Sequence, residues 1–192
     1  MSTDPRQTVT LDEYLELEAT AEIRHEFVNG EMVAMAGVSK EHSVIREALS
    51  FAVQAALRAA GKRCLTFSAD TRLRIAETGL YAYPDMTVVC GKPEFDTRAK
   101  PESLLNPLVI FEVLSDSTEA YDRGAKFAHY KSRGSLQEYV LVATSERSID
   151  VLHRGESGWW QHNVFKGDSS IPLQSLGIEI PLYAIYGQLD LL

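Results

Sequence analysis

Two carboxylates and one amine stand out for what they would do together. Asp85 follows Pro84 at the start of a β-branched segment, Met86 to Cys90. Proline lacks the amide donor that a ladder needs, so it marks where a strand begins and puts Asp85 at a sheet end, near solvent. Glu112 interrupts an apolar run, with Leu108 to Phe111 before it and Val113 and Leu114 after it. An unpaired carboxylate in such a strand costs several kcal/mol of lost hydration. A cation, a lysine or arginine, or a proton must compensate it. Asp122, Lys126 and Tyr130 recur in steps of four and so share one helical face. From there Lys126 can point back to the end of the Glu112 strand. Two carboxylates from neighbouring strands suit Mg²⁺, which takes oxygen ligands and keeps several waters. An amine beside a metal-bound water orients it and steadies charge developing on a phosphate. These are the parts of metal-assisted phosphodiester hydrolysis.

Taken singly, each residue has a plainer account. An Asp after Pro is ordinarily a turn or cap residue. A Glu in an apolar strand is ordinarily a satisfied ion-pair partner, and a helical Lys is ordinarily solvated. The residues alone therefore leave a metal site and a set of satisfied pairs both open.

The elements that must position these groups are legible in outline. Thr10 with Glu13 reads as a capping box opening a helix from Leu11 to about Ala19. Asn29-Gly30 is a hairpin turn, returning through a strand from Met32 to Ala36. Ser39 reads as an N-cap and Gly61 as a stop, and between them Ile45, Leu49, Ala52, Val53, Ala56 and Leu57 recur at helical spacing. Strands are expected at 63–69, 72–75, 80–83 and 86–90. Three prolines in the polar stretch from Gly91 to Pro107 read as a loop. The run from Leu108 to Leu114 has the continuous apolar character of a strand covered on both faces. A helix over 118–131, a strand over 136–143, a hairpin over 149–165 and a short closing helix near 182–189 complete the pattern. No repeat or linker divides it, so one domain over 1–192 with a mixed α/β fold is expected.

Composition narrows the function. At 192 residues the chain can bury a sizeable core, and 45% of it is hydrophobic. No apolar run approaches the ~20 residues that span a bilayer. Met1 to Thr10 is polar and lacks a signal core, so a cytoplasmic protein is expected. Cys64 and Cys90 form no C-x-x-C pair, which argues against zinc, and a reducing compartment is the simplest reading. The net charge of −8 argues against a generic nucleic-acid coat, which needs clustered Lys and Arg.

The chain also resembles the Uma2 family, a branch of the PD-(D/E)XK nuclease superfamily. The matching segments are Glu26-Phe27-Val28-Asn29-Gly30-Glu31, Ser39 with His42, Tyr83-Pro84-Asp85, and Phe111-Glu112-Val113-Leu114-Ser115 with Thr118. Tyr121-Asp122-Arg123-Gly124-Ala125-Lys126 with Tyr130, and Leu136 to Val142, complete them. The likeness runs from about Thr10 to Tyr186 and is densest over 83–142. It implies a restriction-endonuclease-like mixed β-sheet flanked by helices. It also implies Asp85 and Glu112 as ligands of Mg²⁺, with Mn²⁺ as the alternative cation. DNA would be the substrate, no membrane is involved, and a homodimer is the expected assembly. The chain departs from the superfamily's E-x-K pattern, because Leu114 stands two residues after Glu112. The lysine role would then pass to Lys126.

Further candidates follow. The resemblance suggests that Glu26 joins the acidic site; an ion pair with Arg24 or a lysine is the other account. His42 would position substrate or water, or serve structurally at its helix start. Asp70 and Arg72 either line the same cleft or pair with each other, and pairing is favoured. Trp159 and Trp160 face opposite ways in a strand, one in the core and one exposed. Ser115 and Ser117 read as caps for the following helix. Three functions fit: a metal-dependent DNA endonuclease, a weak or inactive nuclease-fold module that binds protein or nucleic acid, and a metal-dependent hydrolase of another phosphate ester.

Overall fold

The structure is a computed structural model and describes residues 6–35 and 37–191. Residues 1–5 and Ala36, the expected last residue of the hairpin strand, lie outside the described residues. The strands are β1 (Arg6–Thr8), β2 (His25–Val28), β3 (Glu31–Ala34), β4 (Cys64–Ser68), β5 (Arg72–Ile75), β6 (Leu80–Ala82), β7 (Met86–Cys90), β8 (Phe95–Asp96) and β9 (Ser103–Leu104). They continue as β10 (Val109–Val113), β11 (Glu138–Val142), β12 (Ser148–Arg154), β13 (Trp160–Lys166), β14 (Ser170–Leu173) and β15 (Ile178–Pro181). Helices α1 (Leu11–Thr20) and α2 (Lys40–Ala59) precede a broken helical segment. That segment runs through α3 (Glu119–Tyr121), a wide π-turn (Asp122–Lys126) and α4 (Phe127–Tyr130). Helix α5 (Tyr183–Tyr186) and a closing 3₁₀ turn (Gly187–Leu191) follow.

Two large sheets organise the molecule. One has six strands in the order β13-β12-β11-β10-β7-β4, and the other seven in the order β1-β3-β2-β6-β5-β9-β8. In the six-stranded sheet β10 runs parallel to β11 and antiparallel to β7. Its two faces are covered differently. Val109, Phe111 and Val113 pack with Ile45, Leu49, Val53 and Leu57 of α2. Ile110 and Leu114 pack the other way, with Tyr130, Tyr139 and the Leu73, Ile75 and Leu80 side chains of the second sheet. Side chains alternate along a strand, so Glu112 takes the face of Ile110 and Leu114, toward the second sheet and α4. Burial on both faces is why the run around Glu112 reads as continuously apolar.

The local signals set the element ends. Thr10 and Glu13 close the capping box on α1. Ser39 Oγ accepts the His42 amide at the start of α2. Asn29 (φ 52°) and Gly30 (φ 88°) both take the left-handed conformation of the β2–β3 turn, which Asn and Gly tolerate best. The stretch 91–107, expected as a loop, contributes β8 and β9, which pair with each other while β9 adds to β5. Two-residue strands carry no period of their own, so only tertiary pairing reveals them. Strands β1 and β14, of three and four residues, are also too short to show a clear period, and Pro172 inside β14 further disguises it. Cys64 and Cys90 stand opposite each other in the β4–β7 register and form a disulfide. Spacing alone gives no sign of that pairing, because the register belongs to the sheet.

Leu49 is fully buried between α2 and the six-stranded sheet. Truncating a buried leucine removes its transfer free energy and leaves a cavity. Leu49→Ala is expected to lower unfolding free energy by roughly 2–5 kcal/mol in a urea or guanidinium titration.

Candidate active site

Glu112 is 4% exposed and Lys126 5% exposed, so both are ionisable groups taken out of water. The fold brings them together by three routes. Asp85 immediately precedes β7, and the antiparallel register pairs Met86 with Phe111, placing Asp85 beside the Glu112–Val113 end of β10. The Val113 amide donates to Asp85 Oδ2 at 2.8 Å and confirms that seat. Glu26 lies on β2, two residues from Val28, which packs on the Leu114 side of the core, so Glu26 shares that side. The π-turn then delivers Lys126 between the two sheets.

Lys126 Nζ lies 2.9 Å from Glu26, 2.9 Å from Glu112 Oε1 and 3.4 Å from Asp122 Oδ1. The buried Tyr130 hydroxyl donates to the same Glu112 oxygen at 3.0 Å. His42 Nε2 stands 3.3 Å from Asp85 Oδ2, while its Nδ1 is buried with no hydrogen-bond partner among the described residues. Among the described residues no ion pair or hydrogen bond falls on Asp85 Oδ1 or Glu112 Oε2. All five candidates, Asp85, Glu112, Lys126, Glu26 and His42, line one cleft with a volume of about 1050 Å³. Asp122, singled out only as a neighbour of Lys126 on its helix face, belongs to the cluster too. Its i, i+4 spacing to Lys126 was the available signal.

Three carboxylates thus surround one ammonium, with Asp85 close by. Burial pushes Glu112 up to about 8 despite the attraction of Lys126, and Asp122, Asp85 and Glu26 push the same way. Burial likewise raises Asp122. Burial alone would lower Lys126, but Glu112 and Glu26 outweigh it and hold the ammonium well above its ordinary value. Lys126 is held in its charged form, and the crowding of acids around it disfavours ionising Glu112.

Can these residues hold a divalent cation? Among the described residues no group of three or more His, Cys, Asp or Glu is placed to form a protein cage. The donor set is two carboxylates at a cleft floor. That fits Mg²⁺ or Mn²⁺ bound through one or two protein oxygens with waters kept, and does not fit zinc.

Other candidates lie elsewhere. Arg72 is buried, donates to Ser103 Oγ at 2.8 Å and to the Pro101 carbonyl, and faces the Tyr14 and Tyr81 rings. It neither lines the cleft nor pairs with Asp70 among the described residues, because β9 reaches it first. Trp160 is half-buried and packs edge-on to Phe127 against the core, whereas Trp159 is exposed. Ser115 and Ser117 cap no helix end; Ser115 Oγ bonds the Ser117 and Thr118 hydroxyls at the cleft edge.

The crowding has a pH signature. Glu112 keeps its proton to higher pH in the fold, about 8, than its ordinary 4.5. The folded state therefore binds the extra proton across that window, and stability falls as pH rises through it. Without added metal, Tm is expected to drop between pH 5 and 8.5, by about 2–4 °C for each kcal/mol lost in a chain of this size. Glu112→Gln, which cannot titrate, should flatten that slope; an unchanged slope would remove Glu112 as its source.

Comparison with known proteins agrees with this architecture. A crystal structure described as a "putative nuclease belonging to DUF820" from Anabaena variabilis superposes with a TM-score of 0.74 over 94% of this chain and 99% of that one, at 18% identity. The two share a fold. An uncharacterised protein of Synechocystis sp. is 34% identical over 182 residues, spanning 95% of this chain and 93% of the relative. A second from the same organism is 36% identical over 134 residues, 70% of this chain and 74% of the relative. The family described as Uma2, "Putative restriction endonuclease", matches residues 11–183, and this chain belongs to it.

Proposed function

We propose that the chain is a metal-dependent endonuclease that hydrolyses DNA phosphodiester bonds. One observation carries the reading: Asp85, Glu112 and Lys126, from three separate elements, meet at the floor of one cleft. Family membership supports a nuclease-like role.

Asp85 and Glu112 would hold Mg²⁺ or Mn²⁺ through Oδ1 and Oε2, on which no ion pair or hydrogen bond falls among the described residues. When bound, the ion supplies Lewis acidity and an acidified water. The protein's own groups do the rest. Val113 N–H and His42 fix the Asp85 carboxylate from one side. Tyr130 and Lys126 fix Glu112 from the other. Lys126 keeps its proton and offers positive charge where negative charge grows on the phosphoryl oxygens. Glu26 holds the ammonium in place. Hydrolysis forms one phosphorus–oxygen bond from water, which gives up a proton, and breaks the bond to the leaving sugar oxygen, which takes one up.

A second reading, a nuclease-fold module that binds without cutting, has one observation in its favour. Lys126 is already engaged by carboxylates, so little positive charge faces the cleft.

Purified protein incubated with DNA is expected to cut it with Mg²⁺ or Mn²⁺ and not with chelator. Asp85→Asn, Glu112→Gln and Lys126→Gln should each cut kcat by on the order of 10²–10³, and Tyr130→Phe by ~10-fold. Melting curves would establish that each variant folds. Full activity in all three site variants would overturn the assignment. Calorimetric binding of DNA without metal-dependent cleavage would favour the second reading.

A further inference from the structure

The cleft walls differ in chemistry. One strip comes from the β2–β3 hairpin and the segment leading to α2, where Val28, Val33, Ala34, Met35 and Val38 supply aliphatic surface and Glu26 and Glu31 stand opposite Val33 and Val28 in the hairpin register. Met35 and Val38 are 37% and 51% exposed, so this apolar surface faces solvent. The other strip carries hydroxyls, from Ser115, Ser117 and Thr118 in the turn after β10 and from Thr144 and Ser145 after β11, with the exposed Asp116 carboxylate among them. Thr144 Oγ1 donates to the Leu114 carbonyl at 2.9 Å, joining the two turns into one surface. Both strips run to the carboxylate floor. Lys126 is the only Lys or Arg among the described lining residues, against seven Asp and Glu.

A duplex is gripped mainly through phosphates, by Lys and Arg set along both strands. It presents one negative charge per about 1.7 Å of axis, twice the density of a single strand. An acidic cleft with one already paired lysine is poorly built for that load. A single unpaired strand is itself amphipathic, with apolar base faces on one side and a polar sugar–phosphate line on the other. The volume, about 1050 Å³, lies at the scale that encloses a small ligand, roughly 300–1,000 Å³. The reacting groups sit at the bottom, where Glu26 and Asp85 are 14% and 13% exposed and Glu112 and Lys126 less. A flexible strand can lower one phosphate to that floor more readily than a paired one.

We propose that the cleft takes an unpaired segment of nucleic-acid strand, with bases against the Val28–Val38 strip and the sugar–phosphate line along the hydroxyl strip. Fully paired duplex is then a poor substrate. This deepens the nuclease reading and rests on it for the chemistry of the floor.

The test separates binding from cutting. Asp85→Asn protein with Mg²⁺ is titrated by fluorescence anisotropy against three short DNA probes: one single strand, the same sequence fully paired, and a duplex with a central unpaired gap. Single-stranded and gapped probes are expected to bind at least ~10-fold more tightly than the duplex, the order of one base's contact energy. Val38→Asp, and separately Met35→Asp, added to this background should weaken single-strand binding several-fold with the melting temperature unchanged. In parallel, wild-type protein is incubated with each probe and Mg²⁺ or Mn²⁺. If it cuts none, the nuclease reading fails, while anisotropy still decides strand preference. Equal or tighter duplex binding, no binding of any probe, or undiminished affinity in both wall variants would overturn the proposal.

Discussion

A lysine ammonium held among three carboxylates is the constraint on which this structure turns. Lys126 bridges Glu26, on one sheet, and Glu112, on the other, at 2.9 Å each. Removing either ion from water costs several kcal/mol, and close, multiply bonded geometry is what offsets it. The arrangement is therefore exacting. It requires the β2–β3 hairpin to sit against the six-stranded sheet, and it requires the helical segment after β10 to turn Lys126 inward. A misplaced partner would leave a bare charge in the interior, so the cluster selects one relative placement of the two sheets as well as filling the cleft floor.

The broken helix around Lys126 fits that demand. A regular helix from Thr118 to Lys131 would satisfy every internal carbonyl along its own axis. The π-turn at Asp122–Lys126 widens the coil instead, and the Asp122 carbonyl accepts a hydrogen bond from the buried Tyr139 hydroxyl of β11 at 3.0 Å. Tyr130, one turn on, donates to Glu112. Tyr130 and Tyr139 meet edge to face at 5.5 Å, so two tyrosines tie the turn to the sheet that carries the acid. Single-turn π-bulges recur at functional sites because they redirect side chains without ending a helix. Arg123 adds an outer tether, pairing with Glu119 at 2.7 Å and with Asp150 of β12 at 3.0 Å.

The same acids that would attract a metal shape what else can approach. With a net charge of −8 and one lysine at the cleft, long-range attraction for a polyanion is weak. Affinity for a nucleic acid must arise at short range, from a bound cation, hydroxyl donors and apolar contact. That places this chain apart from binders that rely on a basic surface. Packing does not explain the aliphatic surface beside the site, where Val38 and Met35 are left facing water.

Much of this was determined locally and can be read along the chain. The capping box at Thr10, the Asn29-Gly30 turn, the N-cap at Ser39 and the apolar stripe of α2 each rest on interactions within a few residues. Glu112 announced a compensated charge because its neighbours are apolar on both faces, and the steps of four through Asp122, Lys126 and Tyr130 named the compensating face. Tertiary structure alone decided the rest. The joining of Glu26 to the cleft depends on how two sheets pack, that of His42 on how α2 lies on the six-stranded sheet, the Cys64–Cys90 bond on a strand register, and β8 and β9 on partners distant in sequence. The exclusion of Arg72 from the site has the same origin, since Ser103 arrives from a different strand. Local periodicity records which face of an element is buried. It cannot record against what, because that energy belongs to contacts between segments far apart along the chain.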